Sequence, residues 1–173
     1  DPTSIYNQNA SSAFARKADL ILLQAALGTA YTGEGGTTAT VFPTSTHQIV
    51  DGGTGLTKAK LISAAQILMA NEVQPPYYMA ITAAENADLL GVPEVASGDF
   101  NNDKPLVNGK VQSYMGFNFI HTEQINVASA INQCIAWGKN SLGLGVWKNM
   151  EMNLAMDPTV NYNYRPHIKY FIG

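Results

Sequence analysis

Histidine and cysteine are the residue types in this chain best suited to catalysis or metal binding, and their spacing favours neither. His47, His121 and His167 lie far apart, and none belongs to an HxH or HxxxH pair that would bring two imidazoles to one metal ion. Cys134 lies in a short apolar run, where burial raises the pKa of a thiol and makes it unreactive. A thiol nucleophile served by His121 is therefore disfavoured. We predict no catalytic residue, no cofactor and no metal site.

Two loops have some features of ligand-binding loops but lack the residues that such loops need. Asp99 and Asp103 have the spacing of a calcium loop, yet the sixth-position glycine and closing glutamate of an EF-hand are absent. An exposed turn is the expected structure there. The run Gly33–Gly36 is rich in glycine, but no GxxxxGK[ST] pattern follows, so it does not predict a phosphate-binding loop.

The aromatic residues near the end of the chain raise the question of nucleic-acid binding. Tyr162, Tyr164 and Arg165 have side chains that stack on bases. The formal net charge is −3, so no basic field surrounds them, and a protein contact or a core edge is the preferred interpretation. Any contact with double-stranded DNA is expected to be weak and local.

Composition limits the protein class further. The 173 residues suffice for one large domain or two small ones, and only 13% are charged, against about a quarter in an average protein. Partners that cover much of the surface would explain this, as would a polar Asn/Thr/Gln-rich surface. A single cysteine excludes an intrachain disulfide and fits a reducing cytosol. No apolar run reaches the roughly 18 residues of a membrane span, and no secretory signal is present, so no membrane partner is expected. Because the sequence starts Asp-Pro-Thr without Met, we expect a processed or truncated product.

The residues that periodicity assigns to helices fall in three places. A central helix is predicted over 57–73, capped by Thr57 and stopped by Pro75 and Pro76. Its apolar stripe is predicted to contain Leu61, Ile62, Ala65, Leu68 and Met69, and its other side Lys58, Lys60, Gln66 and Asn71. A first helix is predicted over 9–27, and the capping box Thr82–Glu85 starts a helix over 83–90.

Strands and turns complete the expected order. The long Gly/Thr loop 28–55 is expected to contain short strands at 40–42 and 48–50, and 95–105 is expected to be an exposed, turn-rich segment. The Asn108-Gly109 pair predicts the type I′ turn of a hairpin over 106–120, in which Gly116 marks a bulge or a close approach. Further strands are predicted at 77–81, 134–137, 150–157 and 167–172.

In this order the chain resembles the tailed-phage major capsid proteins of the Hong Kong 97 type. The resemblance is loose in each motif and depends on their succession. The motifs are Leu20–Leu23, Ala26–Ala30, the Gly/Thr loop, the helix Lys58–Glu72, Pro76–Ile81, Val107–Val111, Met115–Ile120, Cys134–Trp137 and Tyr170–Gly173.

The resemblance implies an α+β fold with two parts. Residues 1–76 would be part of a peripheral domain with its spine helix over 57–73, residues 77–165 an axial domain, and residues 166–173 a strand returning to the peripheral domain. By the same resemblance the chain is a fragment without the family's N-terminal arm and extended loop. It implies no enzyme but a structural subunit of an icosahedral bacteriophage or prophage capsid, located in the virion and assembled in the bacterial host cytoplasm.

The resemblance also implies partners: copies of the chain in pentamers and hexamers, scaffold or portal proteins, and packaged double-stranded DNA held weakly. Two alternatives stay open at this stage. One is the shell of an encapsulin-like protein compartment with the same fold. The other, of a different class, is a small cytosolic enzyme or ligand-binding domain that uses the loop 28–55 as a lid.

Overall fold

A computed structural model of the chain describes residues 5–96, 109–128, 130–160 and 163–172. Helices and strands are mixed, as the predicted α+β class requires. The helices are α1 Ile5–Leu27, α2 Thr44–His47, α3 Lys58–Ala70, α4 Ala83–Leu90 and α5 Pro93–Ala96. The strands are β1 Ala30–Thr32, β2 Thr38–Thr40, β3 Tyr77–Ile81, β4 Ser113–Tyr114, β5 Phe117–His121, β6 Val127–Ala128, β7 Ile131–Asn132, β8 Ile135–Gly138, β9 Val146–Asp157 and β10 Asn163–Ile172, with a 3-10 turn at Pro158–Val160.

The chain divides into two compact units. Unit 1 consists of residues 1–21 and 143–173, and unit 2 of residues 22–142. Unit 1 therefore holds the first part of α1 together with the long β9–β10 hairpin. The division into functional domains at residues 76 and 165 stays a prediction.

Unit 2 is built on a four-stranded mixed sheet in the order β4-β5-β3-β8. The central strand β3 pairs in parallel with β5 and antiparallel with β8. Because side chains alternate along a strand, β3 supplies residues to both faces of the sheet. Tyr77, Met79 and Ile81 belong to one apolar core, whereas Ala80 belongs to a second.

The larger core lies where α3 and α4 pack on the sheet. Leu61 of α3, Leu89 of α4 and Phe117 of β5 are each 0% exposed. Complete burial of one such side chain stabilises a fold by about 1.5–3 kcal/mol. The helix predicted as the spine and the strand that follows it therefore share one core.

The second core covers the opposite side of β3 and β8. Leu23, near the end of α1, packs with Ala80, Ile125 and Ile135. Tyr78 and Trp137 lie side by side on paired strands, with ring centroids 6.2 Å apart in a stacked arrangement. The predicted strand at 134–137 is thus present, shifted by one residue.

The predicted N-cap of helix α3 is confirmed, but the helix is ended by a C-terminal hydrogen-bond pattern and not by the prolines. The Thr57 hydroxyl accepts a hydrogen bond from the Lys60 amide at 3.4 Å. At the other end Glu72 has φ of 55°, and the amides of Glu72 and Val73 each donate at 3.0 Å, to the Met69 and Leu68 carbonyls. This is the Schellman pattern, so the helix stops at Ala70, before it reaches the prolines.

The predicted apolar stripe of α3 was partly wrong. Leu61 and Ala64 are buried, and Ala65 and Leu68 pack against the larger core. Ile62 is 47% exposed and Met69 is 63% exposed. The buried face is therefore rotated toward Ala64, and two large apolar side chains are left on the outside.

A hairpin within the predicted segment 106–120 has its turn at 115–116. β4 and β5 pair so that Tyr114 faces Phe117, which leaves Met115 and Gly116 as a two-residue turn. Their φ angles are 51° and 83°, as a type I′ turn requires at both positions. Asn108 lies outside the described residues, so the turn predicted at 108–109 stays a prediction. Gly116 is part of the β4–β5 turn and marks neither a bulge nor a close approach, since a Cβ there would meet nothing within 4 Å.

Other local expectations need correction. The first described hairpin of the Gly/Thr loop joins β1 to β2, so the strand expected at 40–42 is present only at Thr40, and 48–50 forms no strand. Val95 is 0% exposed inside α5 and is not part of an exposed turn. Residues 97–105, the rest of that predicted turn, lie outside the described residues.

The two late strands confirm the predicted strand segments at 150–157 and 167–172 and extend them. β9 and β10 form one antiparallel hairpin from Asn163 opposite Asp157 to Ile172 opposite Val146. The register shifts on both sides of the pair formed by Phe171 and Lys148. β9 has the extra residue each time, which is the arrangement of a β-bulge.

The β4–β5 turn gives a test of this fold. Replacing Met115 by Asn should raise the free energy of unfolding by about 0.5–1 kcal/mol, because Asn tolerates positive φ far better than Met and Asn-Gly is the preferred type I′ pair. Replacing Gly116 by Ala should lower it by about 1 kcal/mol. Urea unfolding followed by circular dichroism measures both, and equal stabilities for all three proteins would contradict the turn assignment.

Candidate assembly surface

The surroundings of Cys134 and of His121 do not favour a catalytic pair. Burial, with the nearby charge of Glu85 adding to it, raises the pKa of the Cys134 thiol to about 12, in agreement with the inert thiol predicted from its apolar run. His121 Nε2 lies 2.9 Å from the Val111 carbonyl oxygen. Since that oxygen only accepts, Nε2 donates the hydrogen bond, so it is not free to act as a base toward the thiol.

The other residues considered for chemistry are also not brought together. Among the described residues, no three His, Cys, Asp or Glu side chains are placed to hold a metal ion. His47 is exposed on α2 with Nδ1 2.7 Å from the Thr46 hydroxyl, and His167 lies in β10. Tyr164 and Arg165 also lie in β10, whereas Asp99, Asp103 and Tyr162 lie outside the described residues.

The C-terminal end of the Gly/Thr loop is hydrogen-bonded to two helices, α3 and α4. Lys60 Nζ lies 3.1 Å from Asp51 Oδ1 and also donates to the Gly55 carbonyl. Asp51 accepts a second hydrogen bond from the Gly53 amide at 2.8 Å. The Leu56 amide donates to Asp88 Oδ2 of α4 at 2.9 Å. These contacts hold residues 51–56 in place, which does not fit a loop that opens and closes as a lid.

Three of the four polar residues predicted on the outer side of α3 have partners within the chain. Lys58 pairs with Glu94 of α5 at 2.9 Å, Lys60 pairs with Asp51, and Asn71 donates to the Ile67 carbonyl at 2.8 Å. Contacts inside the chain therefore hold Lys58, Lys60 and Asn71.

The ion pairs shift the pKa of the groups that form them. The hydrogen bond from Lys60, helped by the Gly53 amide, lowers the pKa of Asp51. The hydrogen bond from Lys58 lowers the pKa of Glu94, and Glu94 in turn raises the pKa of Lys58. The carboxylate forms are thus favoured in the folded chain.

A polar network joins the start of α4 to β7. In the predicted capping box, the Glu85 carboxylate accepts from the Thr82 amide at 2.9 Å, and the Thr82 hydroxyl accepts from the Ala84 amide at 3.2 Å. The Asn132 side chain donates to Glu85 at 2.9 Å and to the Thr82 hydroxyl at 3.1 Å. Burial raises the pKa of Glu85, but the hydrogen bonds from Thr82 and Asn132 outweigh it, so the pKa is lowered overall. The network is satisfied within the chain and offers no open site.

One exposed face of unit 2 carries no charge and is mainly apolar. Ala59, Ile62, Gln66 and Met69 are exposed and follow one another at intervals of three or four residues, so they form a single stripe along α3. We call these four residues the outer stripe. It carries no charge, because both lysines of the helix are paired elsewhere.

The β9–β10 hairpin of unit 1 also exposes large apolar side chains. Trp147 is 86% exposed, the highest value among the large apolar residues that the structure describes. Val146 and Phe171 lie at the same end of the hairpin, which is the open end away from its turn, and are 46% and 53% exposed. We call these three residues the hairpin-end patch. Trp147 lies within the register shift of β9, where a bulge redirects a side chain.

The short β1–β2 hairpin is exposed along all of its length. Every residue of both strands is exposed, including Tyr31 at 69%. A two-stranded hairpin without a covered face is marginally stable in water. The β1–β2 hairpin, the outer stripe and the hairpin-end patch are therefore three candidate contact surfaces. The low content of charged residues suggested covered surfaces, but it is a property of the whole chain and did not show which residues form them.

The Asp51–Lys60 pair predicts a pH dependence. The pKa of Asp51 is lower in the folded chain than the value near 4 of an unfolded one, so the pair stabilises the fold above about pH 4 and loses this effect as pH falls through the folded pKa. Replacing Asp51 by Asn should therefore make the free energy of unfolding fall less steeply between pH 5 and pH 2, in urea titrations at each pH. Replacing Lys60 by Met should also make the free energy of unfolding fall less steeply with pH. The control replaces Glu34, on the exposed β1–β2 turn, by Gln and should leave this pH dependence unchanged. An unchanged acid limb in both test variants would contradict the pair's role.

Comparison with known proteins identifies the family. The chain matches the sequence profile of the phage capsid protein family over residues 1–170. It shares its fold with a chain from the capsid structure of the cyanophage P-SCSP1u, with a TM-score of 0.62, 16% identity, and coverage of 99% of this chain and 61% of that one. A chain from Mycobacterium phage Che8 gives a TM-score of 0.56 at 17% identity, over 89% of this chain and 54% of that one.

The chain thus spans a little more than half the length of these two structures. No curated protein matches it. Among the helices of the described residues, none is long and apolar enough to cross a membrane. Because the family profile extends over almost the entire sequence, the chain belongs to the phage capsid protein family.

Proposed function

We propose that the chain is a structural subunit of an icosahedral bacteriophage or prophage capsid. In this proposal, copies assemble into pentamers and hexamers in the bacterial host cytoplasm and enclose double-stranded DNA in the virion. The observation that carries the proposal is the family match from residue 1 to residue 170. Scaffold and portal proteins are proposed partners of the complete protein.

The surface of the chain supports an assembly role. Monomeric proteins seldom leave several large apolar side chains exposed on regular elements unless a partner covers them. Here the outer stripe, the hairpin-end patch and the β1–β2 hairpin all do so. With only 13% charged residues, the chain also has few groups to keep those surfaces solvated.

The Hong Kong 97 architecture is part of the proposal, and the compact units support an alternative placement of its spine. The sequence predicted the spine at 57–73, but α3 spans 13 residues, about 20 Å, and shares a core with the sheet of unit 2. α1 spans 23 residues, about 34 Å, and its first part belongs to unit 1 with the long hairpin. We therefore propose α1 as the spine, with unit 1 peripheral and unit 2 axial.

The alternatives have less support. An encapsulin-like compartment shell would use the same kind of subunit and differs in what it encloses. An enzyme with a lid loop is disfavoured by the contacts that fasten residues 51–56.

Electron microscopy of the purified full-length product tests the shell. Closed uniform particles, or rings of five and six, are expected in negative stain, because the exposed apolar surfaces should be covered by neighbouring copies. A strictly monodisperse monomer at high concentration would contradict a shell of any kind. Nuclease-protected DNA inside particles is expected for a capsid, whereas a protein cargo without DNA would favour the compartment.

Weak DNA contact predicts a shallow salt dependence. With a net charge of −3, few phosphates can be neutralised by one chain, so the slope of log K against log salt should be no steeper than about −3. Fluorescence anisotropy with a labelled duplex between 50 and 200 mM salt measures it. A much steeper slope would mean many phosphate contacts and would contradict the weak interaction.

A further inference from the structure

We propose that copies of this chain bind one another head to tail, with the hairpin-end patch of one copy on the outer stripe of α3 of the next. The inference rests on the proposed function, since it takes the partner to be a second copy. It adds which surfaces meet and that the contact joins two different surfaces.

The outer stripe has the properties of a receiving surface. Ile62 and Met69 lie seven residues apart and flank Gln66, so their side chains line one edge of a regular helix. Lys58 and Lys60 are held by Glu94 and Asp51 and do not extend across it. Covering this stripe therefore removes apolar surface from water without burying an unpaired charge.

The hairpin-end patch has the properties of an inserting surface. Trp147 is 86% exposed, and tryptophan is among the residues that contribute most to protein interfaces. The register shift of β9 at this point directs its side chain by backbone geometry. The adjacent Lys148 and Glu151 pair with each other at 2.8 Å, so neither brings an unpaired charge to the contact.

The charges of the two units decide which surfaces meet. Unit 1 holds five Lys or Arg and four Asp or Glu, a net charge of +1, and unit 2 holds five and nine, a net charge of −4. A stripe-to-stripe contact would bring two units of −4 together, whereas a patch-to-stripe contact pairs +1 with −4. Electrostatic complementarity therefore favours the contact between unlike units.

A contact between two different surfaces can repeat. When copies join in this way, the first copy of the series keeps an unused patch and the last an unused stripe, so association continues until a ring closes. A contact of either surface with its own copy would stop at a dimer. The pentamers and hexamers of the proposed function need the first kind of contact.

A mixing experiment separates the two kinds. One variant carries Trp147→Ser and loses the patch; the other carries Ile62→Lys and Met69→Lys and loses the stripe. Each alone is expected to remain monomeric at concentrations where the wild type assembles. Mixed in equal amounts they keep one working contact, so native mass spectrometry should show a dimer with one of each, at least about tenfold more abundant than either homodimer.

Controls keep the result specific. Val50 is 79% exposed and lies outside both surfaces, so Val50→Lys should assemble as the wild type does. Circular dichroism of each variant should match the wild type, because the substituted side chains are exposed. Loss of assembly in Val50→Lys would show that any added charge has this effect and would contradict the assignment.

The remaining outcomes overturn the inference in recognisable ways. Homodimers of the variant with Ile62→Lys and Met69→Lys, which keeps only the patch, would mean that patches bind patches. Homodimers of the Trp147→Ser variant, which keeps only the stripe, would mean that stripes bind stripes. Full assembly of both variants, with the wild type assembling, would leave the capsid function standing and refute these surfaces. A wild type that never assembles would refute the proposed function itself.

Discussion

The fold of unit 2 depends on the burial of β3 on both of its faces. Its parallel pairing with β5 and antiparallel pairing with β8 leave no edge of the strand open. Tyr77, Met79 and Ile81 anchor α3 and α4 on one side, and Ala80 anchors the end of α1 on the other. A strand covered in this way needs an almost continuous apolar sequence, and YYMAI is one. The helices around it are placed by this strand more than by their own periodicity.

Polar contacts then fix the segments that enter and leave this core. The Thr82–Glu85 capping box binds Asn132, while Asn86 accepts from the Val111 amide at 3.1 Å and donates to the Gly109 carbonyl at 3.2 Å. Ion pairs tie the start of α3 to Asp51 and Glu94. These polar side chains near the core therefore form contacts inside the chain. Only 13% of the residues are charged, which suits a subunit whose neighbours cover much of its surface.

The family membership supports the same role. Cys134 is partly buried and packs against the core, and the His121 side chain is hydrogen-bonded to a backbone carbonyl. The fold is shared with phage structures at 16–17% identity, a level at which packing is preserved although few side chains are. What distinguishes this chain from a solitary domain is its set of exposed apolar side chains on regular elements.

The sequence by itself determined the local structure. Thr57, the Thr82–Glu85 box and the strand at 77–81 were predicted correctly because caps and apolar runs act through neighbours a few residues away. The tertiary structure decided the rest. It selected Met115-Gly116 as the turn, because the pairing of β5 with β3 fixes the register of the hairpin. It also rotated the buried face of α3 and left Ile62 and Met69 outside, since which apolar residues are covered depends on where the sheet lies, and a helical period alone cannot specify that.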